Sequence, residues 1–218
     1  MKAVKKILDN ERVHLEACKG SERQNDEYCQ KDGDYMTFGT FKTQGQRTDL
    51  ENVKKMIDNG EAMVDVAEQH FETFMRYHKG FYKYKELKAQ KEAKKFRKLN
   101  VTVLCGKTGT GKTRAAIRNA DDDDYYKIQG DDMKWFDGYE GEKTLIIDEY
   151  DSSISLTKLL GILDGYILRL PIKGGHTYAL WENVIITSNI HPDNWHPNAK
   201  EEHKAALNRR ITEVKVYE

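Results

Sequence analysis

Residues 106–113, GKTGTGKT, have the residue types and spacing of a phosphate-binding loop. They match the pattern G-x-x-x-x-G-K-[ST], directly after the apolar stretch VTVLC and before the helix-like stretch TRAAIRNA. Glycines let successive backbone N–H groups point at phosphate oxygens, and a helix N-terminus adds partial positive charge. We expect Lys112 to reach the terminal phosphates of a nucleotide and Thr113 to ligate Mg²⁺. The predicted nucleotide-binding residues are Gly106, Lys107, Thr108, Gly109, Thr110, Gly111, Lys112 and Thr113.

Two acids end the apolar stretch TLIID downstream of this loop. Asp148 is placed to hold the hydration shell of Mg²⁺, and Glu149 to polarise a water that attacks the terminal phosphate. An Asp–Glu pair at a strand end favours hydrolysis over simple nucleotide binding. The alternative, a pair of surface acids, loses ground because the phosphate loop accompanies them.

Further polar residues extend this prediction towards the C-terminus. Asn189 follows another apolar stretch, VIITS, and an amide there could orient the water or contact the terminal phosphate. Arg209 and Arg210, in NRRITEV, could stabilise the charge that develops on the phosphoryl group across a subunit boundary. The sequence does not decide which arginine acts, and a pair of surface arginines is the plain alternative.

Two basic segments suggest contacts with nucleic acid. Gly174 and Gly175 predict a hairpin whose tip carries Lys173 and His176, which could grip a DNA phosphate. An ordinary connecting hairpin is the alternative. Residues 79–98 hold nine basic and two acidic residues with interleaved aromatics. That composition fits a solvated helix face or a nucleic-acid contact surface equally well.

The elements that must position these residues divide the chain into three parts. Residues 1–45 are too few to bury a core alone, 46–98 are helical, and 99–218 alternate strands and helices. In the helical part, Thr48 or Asp49 is the predicted N-cap of one helix, which closes near Gly60. The residues that follow at roughly helical spacing favour core or helix–helix packing over a ligand pocket; they are Val66, Phe71, Phe74, Met75 and His78. The predicted strands are 101–105, 125–129, 144–148 and 184–188.

The last two strands are near-continuous apolar runs, as in parallel sheets that are buried on both faces. We therefore predict an α/β domain with helices on both faces of the sheet.

Bulk composition excludes several classes of protein. The formal net charge is zero, which argues against non-specific binding of nucleic acid. Three cysteines without CxxC spacing suggest neither a disulfide framework nor a zinc site. No apolar run approaches the ~20 residues that span a bilayer, so we expect a soluble intracellular protein without a membrane partner.

Four of these segments together resemble a known family. GKTGTGKT, LIIDEYD, IKGGHTYALWENVIITSN and LNRRIT are similar to the superfamily-three helicase domain of replication-initiator (Rep) proteins from circular single-stranded DNA viruses, the circovirus type above all. TQGQRTDL and VAEQHFETFMRYHKG also fit, so the resemblance covers nearly the whole chain. It implies an AAA+-like P-loop NTPase at 99–218, preceded by a helical oligomerisation or linker segment at 46–98.

The resemblance also implies a function. Such proteins form a homo-oligomeric ring, a hexamer, that hydrolyses ATP with Mg²⁺ at subunit interfaces and moves along single-stranded DNA in the host nucleus. Asn189 would sense the terminal phosphate, and Lys173 and His176 would line the DNA channel.

The segment EYCQKDG resembles the end of the family's HUH nicking domain, which places a remnant of that α+β domain at 1–45. Tyr28 corresponds to the nucleophile that attacks a DNA phosphodiester, and Lys31 would orient the site or neutralise phosphate charge. The histidine-containing motif that holds the metal in the family has no counterpart here, and we expect it to lie before Met1. We therefore do not expect this chain to nick DNA alone.

Three other functions stay open. One is a helicase of the same superfamily that acts on RNA, although the tyrosine remnant favours DNA. Another is a truncated or integrated Rep relative that binds nucleotide and assembles without productive turnover, against which the intact Lys112, Asp148 and Glu149 speak. An unrelated phosphate-loop nucleotide kinase lacks support because no arginine-rich lid segment is present.

Overall fold

A computed structural model of the chain describes residues 2–7, 12, 13, 15, 19–33, 36, 47–120 and 124–218. Contacts divide the chain into two compact units, Met1–Met56 and Ile57–Glu218. The boundary lies inside a helix. The three-part division at 45/46 and 98/99 stays a prediction.

The described part of the first unit contains short helices. They are α1 (Lys2–Ile7), α2 (Glu22–Cys29), a 3₁₀ turn (Gln30–Asp32) and the start of α3 (Thr48–Asn59). A reciprocal cap fixes the start of α2, because the Gln24 N–H donates to Ser21 Oγ at 3.3 Å and the Ser21 N–H donates to Gln24 Oε1 at 3.0 Å. The stretch VKKILDNERVHLEACKG predicts a helix followed by a brief strand, and that strand falls largely outside the described residues.

The helical middle of the chain contains α3, α4 (Met63–Gln69) and α5 (Phe71–Glu92). The predicted end of α3 near Gly60 is confirmed: Gly60 has φ +84°, and its N–H donates to the Ile57 carbonyl at 3.2 Å. Thr48 is the first helical residue rather than the N-cap.

The predicted apolar stripe only partly faces a core. Val66 is fully buried, whereas Phe71 and Met75 are 64% and 59% exposed. The reason is a break in the helix at His70, which has φ −129° and ψ 46°. Because α5 starts afresh after this break, the apolar residues on its two sides do not continue one face. The expectation of core packing is therefore wrong for Phe71 and Met75.

Five parallel strands form the main sheet of the second unit, and two further strands form a hairpin. The strands are β1 (Asn100–Gly106), β2 (Tyr125–Gln129), β3 (Thr144–Asp148), β4 (Arg169–Ile172), β5 (Gly175–Tyr178), β6 (Asn183–Ser188) and β7 (Glu213–Tyr217). The order in the main sheet is β2-β3-β6-β1-β7, and β4 pairs with β5. All four predicted strands and the hairpin are confirmed. The sequence prediction missed β7.

Helices cover both faces of this sheet, as predicted. α6 (Lys112–Asn119) packs its Ala116 against one face, and α7 (Leu156–Ile162) and α8 (Glu201–Asn208) contribute Leu159 and Leu207 to the core on the other. Successive residues of β3 point to opposite faces of the sheet, and because both faces are covered, β3 is buried along its whole length. The second unit is an α/β P-loop NTPase fold. Among the described helices, none has the length and apolar character needed to cross a membrane.

Candidate nucleotide-binding site

The phosphate loop, the acids at 148 and 149 and Asn189 meet at the carboxyl edge of the sheet. Since β3, β6 and β1 are adjacent and parallel, the residues that follow their carboxyl ends lie side by side. A cavity of about 250 Å³ opens there. Its lining residues are Thr108, Gly109, Gly111, Lys112, Thr113, Arg114, Glu149, Thr187, Ser188 and Asn189.

Backbone conformation explains the glycines of the loop that joins β1 to α6. Gly106 has φ +150°, and a Cβ there would lie 1.9 Å from the Tyr217 carbonyl oxygen on β7. Gly109 and Gly111 have φ +86° and +85°, in the left-handed region that favours glycine. The Thr110 hydroxyl closes the loop by donating to the Lys107 carbonyl at 2.9 Å. The sequence alone could not show that the end of β7 requires a glycine at 106.

The Lys112 ammonium lies inside the loop and is 8% exposed as a residue. It donates to the carbonyls of Gly106 at 2.8 Å and Lys107 at 2.7 Å, and to Asn189 Oδ1 at 3.0 Å. Lys112 and Asn189, which are predicted from separate motifs, are therefore direct neighbours. This contact places the amide at the mouth of the loop, where a terminal phosphate would bind.

Asp148 is the most buried acid of the site, with a side chain that is 5% exposed. Its Oδ1 accepts from the hydroxyls of Thr113 at 2.8 Å and Thr187 at 2.7 Å. Its Oδ2 lies 2.8 Å from Lys127 Nζ. Burial raises the pKa of Asp148, but the hydrogen bonds from Lys127, Thr187 and Thr113 and the charge of Lys127 outweigh burial and hold the pKa below its usual value.

Thr113 and Asp148 suit Mg²⁺, because this ion prefers hard oxygen ligands and typically uses one or two carboxylates with phosphates and waters. Within the described ranges, no cluster of three or more His, Cys, Asp or Glu side chains could hold a metal by itself. A Mg²⁺ site in which a bound nucleotide supplies further oxygen ligands agrees with both observations.

Glu149 has a backbone conformation that non-glycine residues rarely adopt, with φ +54°. Its N–H donates to Thr187 Oγ1 at 2.9 Å, which holds the strained turn in place. The side chain is exposed and lines the cavity, so water can reach it. The strained turn therefore aims Glu149 into the site while Asp148 stays buried.

A hydrogen-bonded support, which no sequence motif predicts, lies behind Glu149 and Asn189. Ser188 Oγ donates to the Tyr150 carbonyl at 2.6 Å and accepts from the Ile190 N–H at 3.0 Å. Trp195 Nε1 donates to the Ile190 carbonyl at 3.0 Å. This support joins the turn after β3 to the turn after β6. The only sequence signal for it is a polar pair, Thr187 and Ser188, that ends an apolar strand.

A tyrosine–histidine contact closes the same support. The Tyr150 hydroxyl and His196 Nε2 are 2.6 Å apart. Burial raises the pKa of Tyr150 and lowers the pKa of His196, so both side chains are neutral in this contact.

The structure distinguishes the two C-terminal arginines. Arg210 donates to Asp164 Oδ2 at 2.6 Å and to the Ala206 carbonyl at 3.0 Å, so its guanidinium is held by its own chain. Arg209, at the end of α8, is exposed. Of the two predicted residues, Arg209 is the more exposed one and Arg210 is the one held in an ion pair.

The hairpin residues lie outside the cavity and differ in their contacts. Lys173 has a side chain that is 79% exposed at the tip. His176 lies beyond the tip, where its Nδ1 is 2.9 Å from an Arg169 nitrogen and its Nε2 is 3.2 Å from Glu86 Oε1. Lys173 is exposed to solvent, although its Nζ also lies 3.5 Å from Asp137 Oδ2, whereas His176 is less exposed and contacts Arg169 and Glu86.

The basic segment 79–98 is not one continuous contact surface. Arg97 is 7% exposed and donates to the carbonyls of Trp181 at 2.7 Å and Tyr166 at 3.2 Å. It anchors the segment that leads into β1. Lys95 pairs with Glu92 at 2.8 Å on the surface. Arg97 must therefore be left out of any set of candidate DNA-binding residues.

The nicking residues lie in the first unit. The Tyr28 side chain is exposed near the end of α2, and Lys31 Nζ lies 5.3 Å from the centre of the tyrosine ring. The two side chains are neighbours because they lie three residues apart, on α2 and on the 3₁₀ turn that follows it. A metal ligand set for them is absent from the described residues.

Known proteins resemble this chain in sequence. A family model described as RNA helicase matches residues 102–190. The replication-associated protein of Porcine circovirus 2 is 36% identical over 93% of this chain and 64% of its own length. That of Goose circovirus is 33% identical over 93% of this chain and 67% of its own length. That of Human associated cyclovirus 1 is 34% identical over 86% and 68%. The chain thus spans about two thirds of the curated relatives that it matches.

Proposed function

The chain belongs to the replication-associated (Rep) proteins of circoviruses and cycloviruses, and we propose that it hydrolyses ATP to move along single-stranded DNA in rolling-circle replication. One observation carries this proposal: Lys112, Thr113, Glu149 and Asn189 line one cavity at the carboxyl edge of the sheet, and Asp148 lies behind it, where it accepts from the Thr113 hydroxyl. These five side chains supply every role that phosphoryl transfer to water requires within one subunit.

Binding of the nucleotide falls to the loop. Loop residues and the first residues of α6 line the cavity, and their backbone N–H groups would bind phosphate oxygens. Lys112 would exchange the carbonyls of Gly106 and Lys107 for the terminal phosphates, next to Asn189, which its ammonium already contacts. Specific recognition of the base has no assigned residue.

Thr113 and Asp148 would hold Mg²⁺, Thr113 through its hydroxyl and Asp148 through the hydration shell. The bound ion would neutralise charge on the phosphate oxygens. The Thr113 hydroxyl proton already points to Asp148, which leaves the oxygen lone pairs of Thr113 for a ligand. The carboxylate thus orients the hydroxyl that binds the metal.

Glu149 would accept a proton from the attacking water, and Asn189 would orient that water or contact the terminal phosphate. The exposed carboxylate of Glu149 and the buried carboxylate of Asp148 are adjacent in sequence but have different surroundings, which suits their different roles.

A neighbouring subunit would complete the site in a homo-oligomeric ring, which we propose is a hexamer. Arg209 is the residue we assign to this role, because Arg210 is held by Asp164. A guanidinium supplied across the interface would stabilise the charge of the transition state. Lys173 at the hairpin tip would contact DNA phosphates, with His176 supporting the hairpin against Glu86.

A second candidate substrate is RNA, and the description of the matching family model favours it. We prefer DNA because the relatives that match most of the chain are replication-associated proteins. Nicking by Tyr28 is not part of the proposal, because the described residues offer no metal ligands for it.

The experiment is ATP hydrolysis by the purified chain without nucleic acid, with single-stranded DNA and with single-stranded RNA of the same sequence. We expect DNA to stimulate turnover more than RNA, and Lys112→Ala to abolish turnover. Stimulation by RNA alone would move the proposal to RNA. Nucleotide binding without turnover in assembled rings would contradict a motor and favour a regulatory relative that binds nucleotide without using it.

A further inference from the structure

Lys127 contacts the site from a strand that carries none of the motifs. It lies on β2, at the edge of the sheet, where it is in register with Ile146 of β3. Side chains two residues apart on a strand point to the same face, so Lys127 and Asp148 share one face of the sheet. The ammonium lies 2.8 Å from Asp148 Oδ2.

With this contact, both oxygens of the buried Asp148 carboxylate have hydrogen-bond partners. Oδ1 accepts from the hydroxyls of Thr113 and Thr187, and Oδ2 accepts from Lys127. Hydroxyl groups carry no net charge, so Lys127 supplies the compensating cation that a carboxylate with 5% exposure needs. Lys112 does not do so, because its ammonium is bound by two carbonyls and Asn189.

We propose that Lys127 is a positioning residue that takes the place of Mg²⁺ at Asp148 in the metal-free site and gives up Oδ2 when Mg²⁺ binds with nucleotide. This inference rests on the nucleotide site proposed above. Lys127 is suited to such an exchange because its side chain is 35% exposed and can move towards solvent. The Asp148 side chain is only 5% exposed and stays in place.

Two consequences follow from this competition. The ammonium lowers the affinity of the site for Mg²⁺, because the hydration waters of the ion need the same carboxylate oxygen and because two cations repel each other at this range. The ammonium also stabilises the metal-free protein, because Asp148 would otherwise be a buried charge without a counter-ion. Removal of Lys127 should therefore tighten Mg²⁺ binding while it weakens the metal-free fold.

The test compares wild type with Lys127→Met, which keeps an unbranched side chain one atom shorter and removes the charge, and with Lys127→Arg, which keeps the charge. Lys143→Met is the matched control, because Lys143 pairs with Glu182 at 3.3 Å on the surface at the opposite end of the strands. Binding of a fluorescent ADP analogue is followed by anisotropy as MgCl₂ is increased. Melting temperatures are measured in EDTA and in MgCl₂ with ADP.

We expect the half-saturating Mg²⁺ concentration to fall about threefold or more in Lys127→Met, and to change little in Lys127→Arg and Lys143→Met. In EDTA, Lys127→Met should melt several degrees below wild type, and Mg²⁺ with ADP should restore more of its stability than it adds to wild type.

An unchanged or higher half-saturating Mg²⁺ concentration in folded Lys127→Met would overturn the inference. That result would leave the proposed ATP hydrolysis intact, since wild type would still bind Mg²⁺ and nucleotide. A lower melting temperature without any change in the Mg²⁺ requirement would show a purely structural ion pair and would also overturn it.

Discussion

The Thr187 hydroxyl donates to Asp148 Oδ1 at 2.7 Å and accepts from the Glu149 N–H at 2.9 Å. One hydroxyl on β6 therefore fixes the carboxylate of the proposed metal site and the backbone of the proposed catalytic base on β3. The φ of +54° at Glu149 needs such an external partner. Thr187 is fully buried, so water cannot take its place.

Thr187→Val should impair both stability and catalysis. The methyl group keeps the volume, but it leaves the Glu149 N–H without its acceptor, and such a loss costs about 1–3 kcal/mol of unfolding free energy. We also expect ATP turnover to fall about tenfold, because misplacement of a catalytic base is costly. Urea denaturation and steady-state hydrolysis measure the two effects. Thr187→Ser keeps the hydroxyl and should stay near wild type; equal loss in both variants would argue against the hydrogen bonds.

The two C-terminal arginines should differ in their effects. Arg209→Ala should leave the melting temperature unchanged and reduce turnover strongly, because the side chain is exposed and acts on a neighbouring subunit. Arg210→Ala should lower the melting temperature, because it breaks the pair with Asp164. Hydrolysis by mixtures of Arg209→Ala and Lys112→Ala subunits checks the assignment: a gain of turnover over either variant alone is expected for an arginine supplied in trans. Mixtures no more active than the separate variants would speak for a role within one subunit.

Arg97 should be a stability residue and not a DNA-binding one. Arg97→Met removes the donors for the Trp181 and Tyr166 carbonyls, and we expect a loss of about 1–3 kcal/mol in unfolding free energy. Lys95→Met, on the exposed side of the same segment, should change stability by no more than about 0.5 kcal/mol. Chemical denaturation of both variants tests this. Unaltered stability of Arg97→Met together with weaker DNA binding would reverse the assignment.

Acid should destabilise the protein partly through Asp148. Its pKa in the folded protein is lower than the value of 3.8 that it would have unfolded. At pH values above the unfolded pKa of 3.8, ionised Asp148 therefore stabilises the fold. This stabilisation is lost as the pH falls through the lower pKa of the folded protein. Unfolding free energies of wild type and Asp148→Asn, measured from neutral pH downwards, should differ most near neutrality and converge in acid. A constant difference across pH would contradict this account of the carboxylate.

The sequence was most informative where local chemistry determines the backbone. The loop 106–113, the acids after β3 and the hairpin at Gly174 could all be predicted, because glycine conformation and strand-end polarity leave a local pattern. β7 could not, because four of its five residues are exposed and no apolar run marks it. Its position in the sheet depends on pairing with β1, which is a long-range contact.

The supporting residues of the site were also beyond sequence reasoning. Lys127 and Thr187 acquire their roles only when β2, β3 and β6 pair in the observed register. The choice between Arg209 and Arg210 likewise depended on a distant partner, Asp164. In each case the residue type permits the role, but a neighbour that is remote in sequence determines it.

The measurement that tests the account most directly is single-turnover ATP hydrolysis by Glu149→Gln beside wild type, with single-stranded DNA and Mg²⁺ present. Glutamine keeps the shape of the side chain but cannot accept the proton of the attacking water. The account predicts unchanged ATP affinity and a hydrolysis rate that falls about 100-fold or more. Hydrolysis by Glu149→Gln at the wild-type rate, with ATP bound equally well, would contradict the assignment of Glu149 and with it the proposed hydrolytic site.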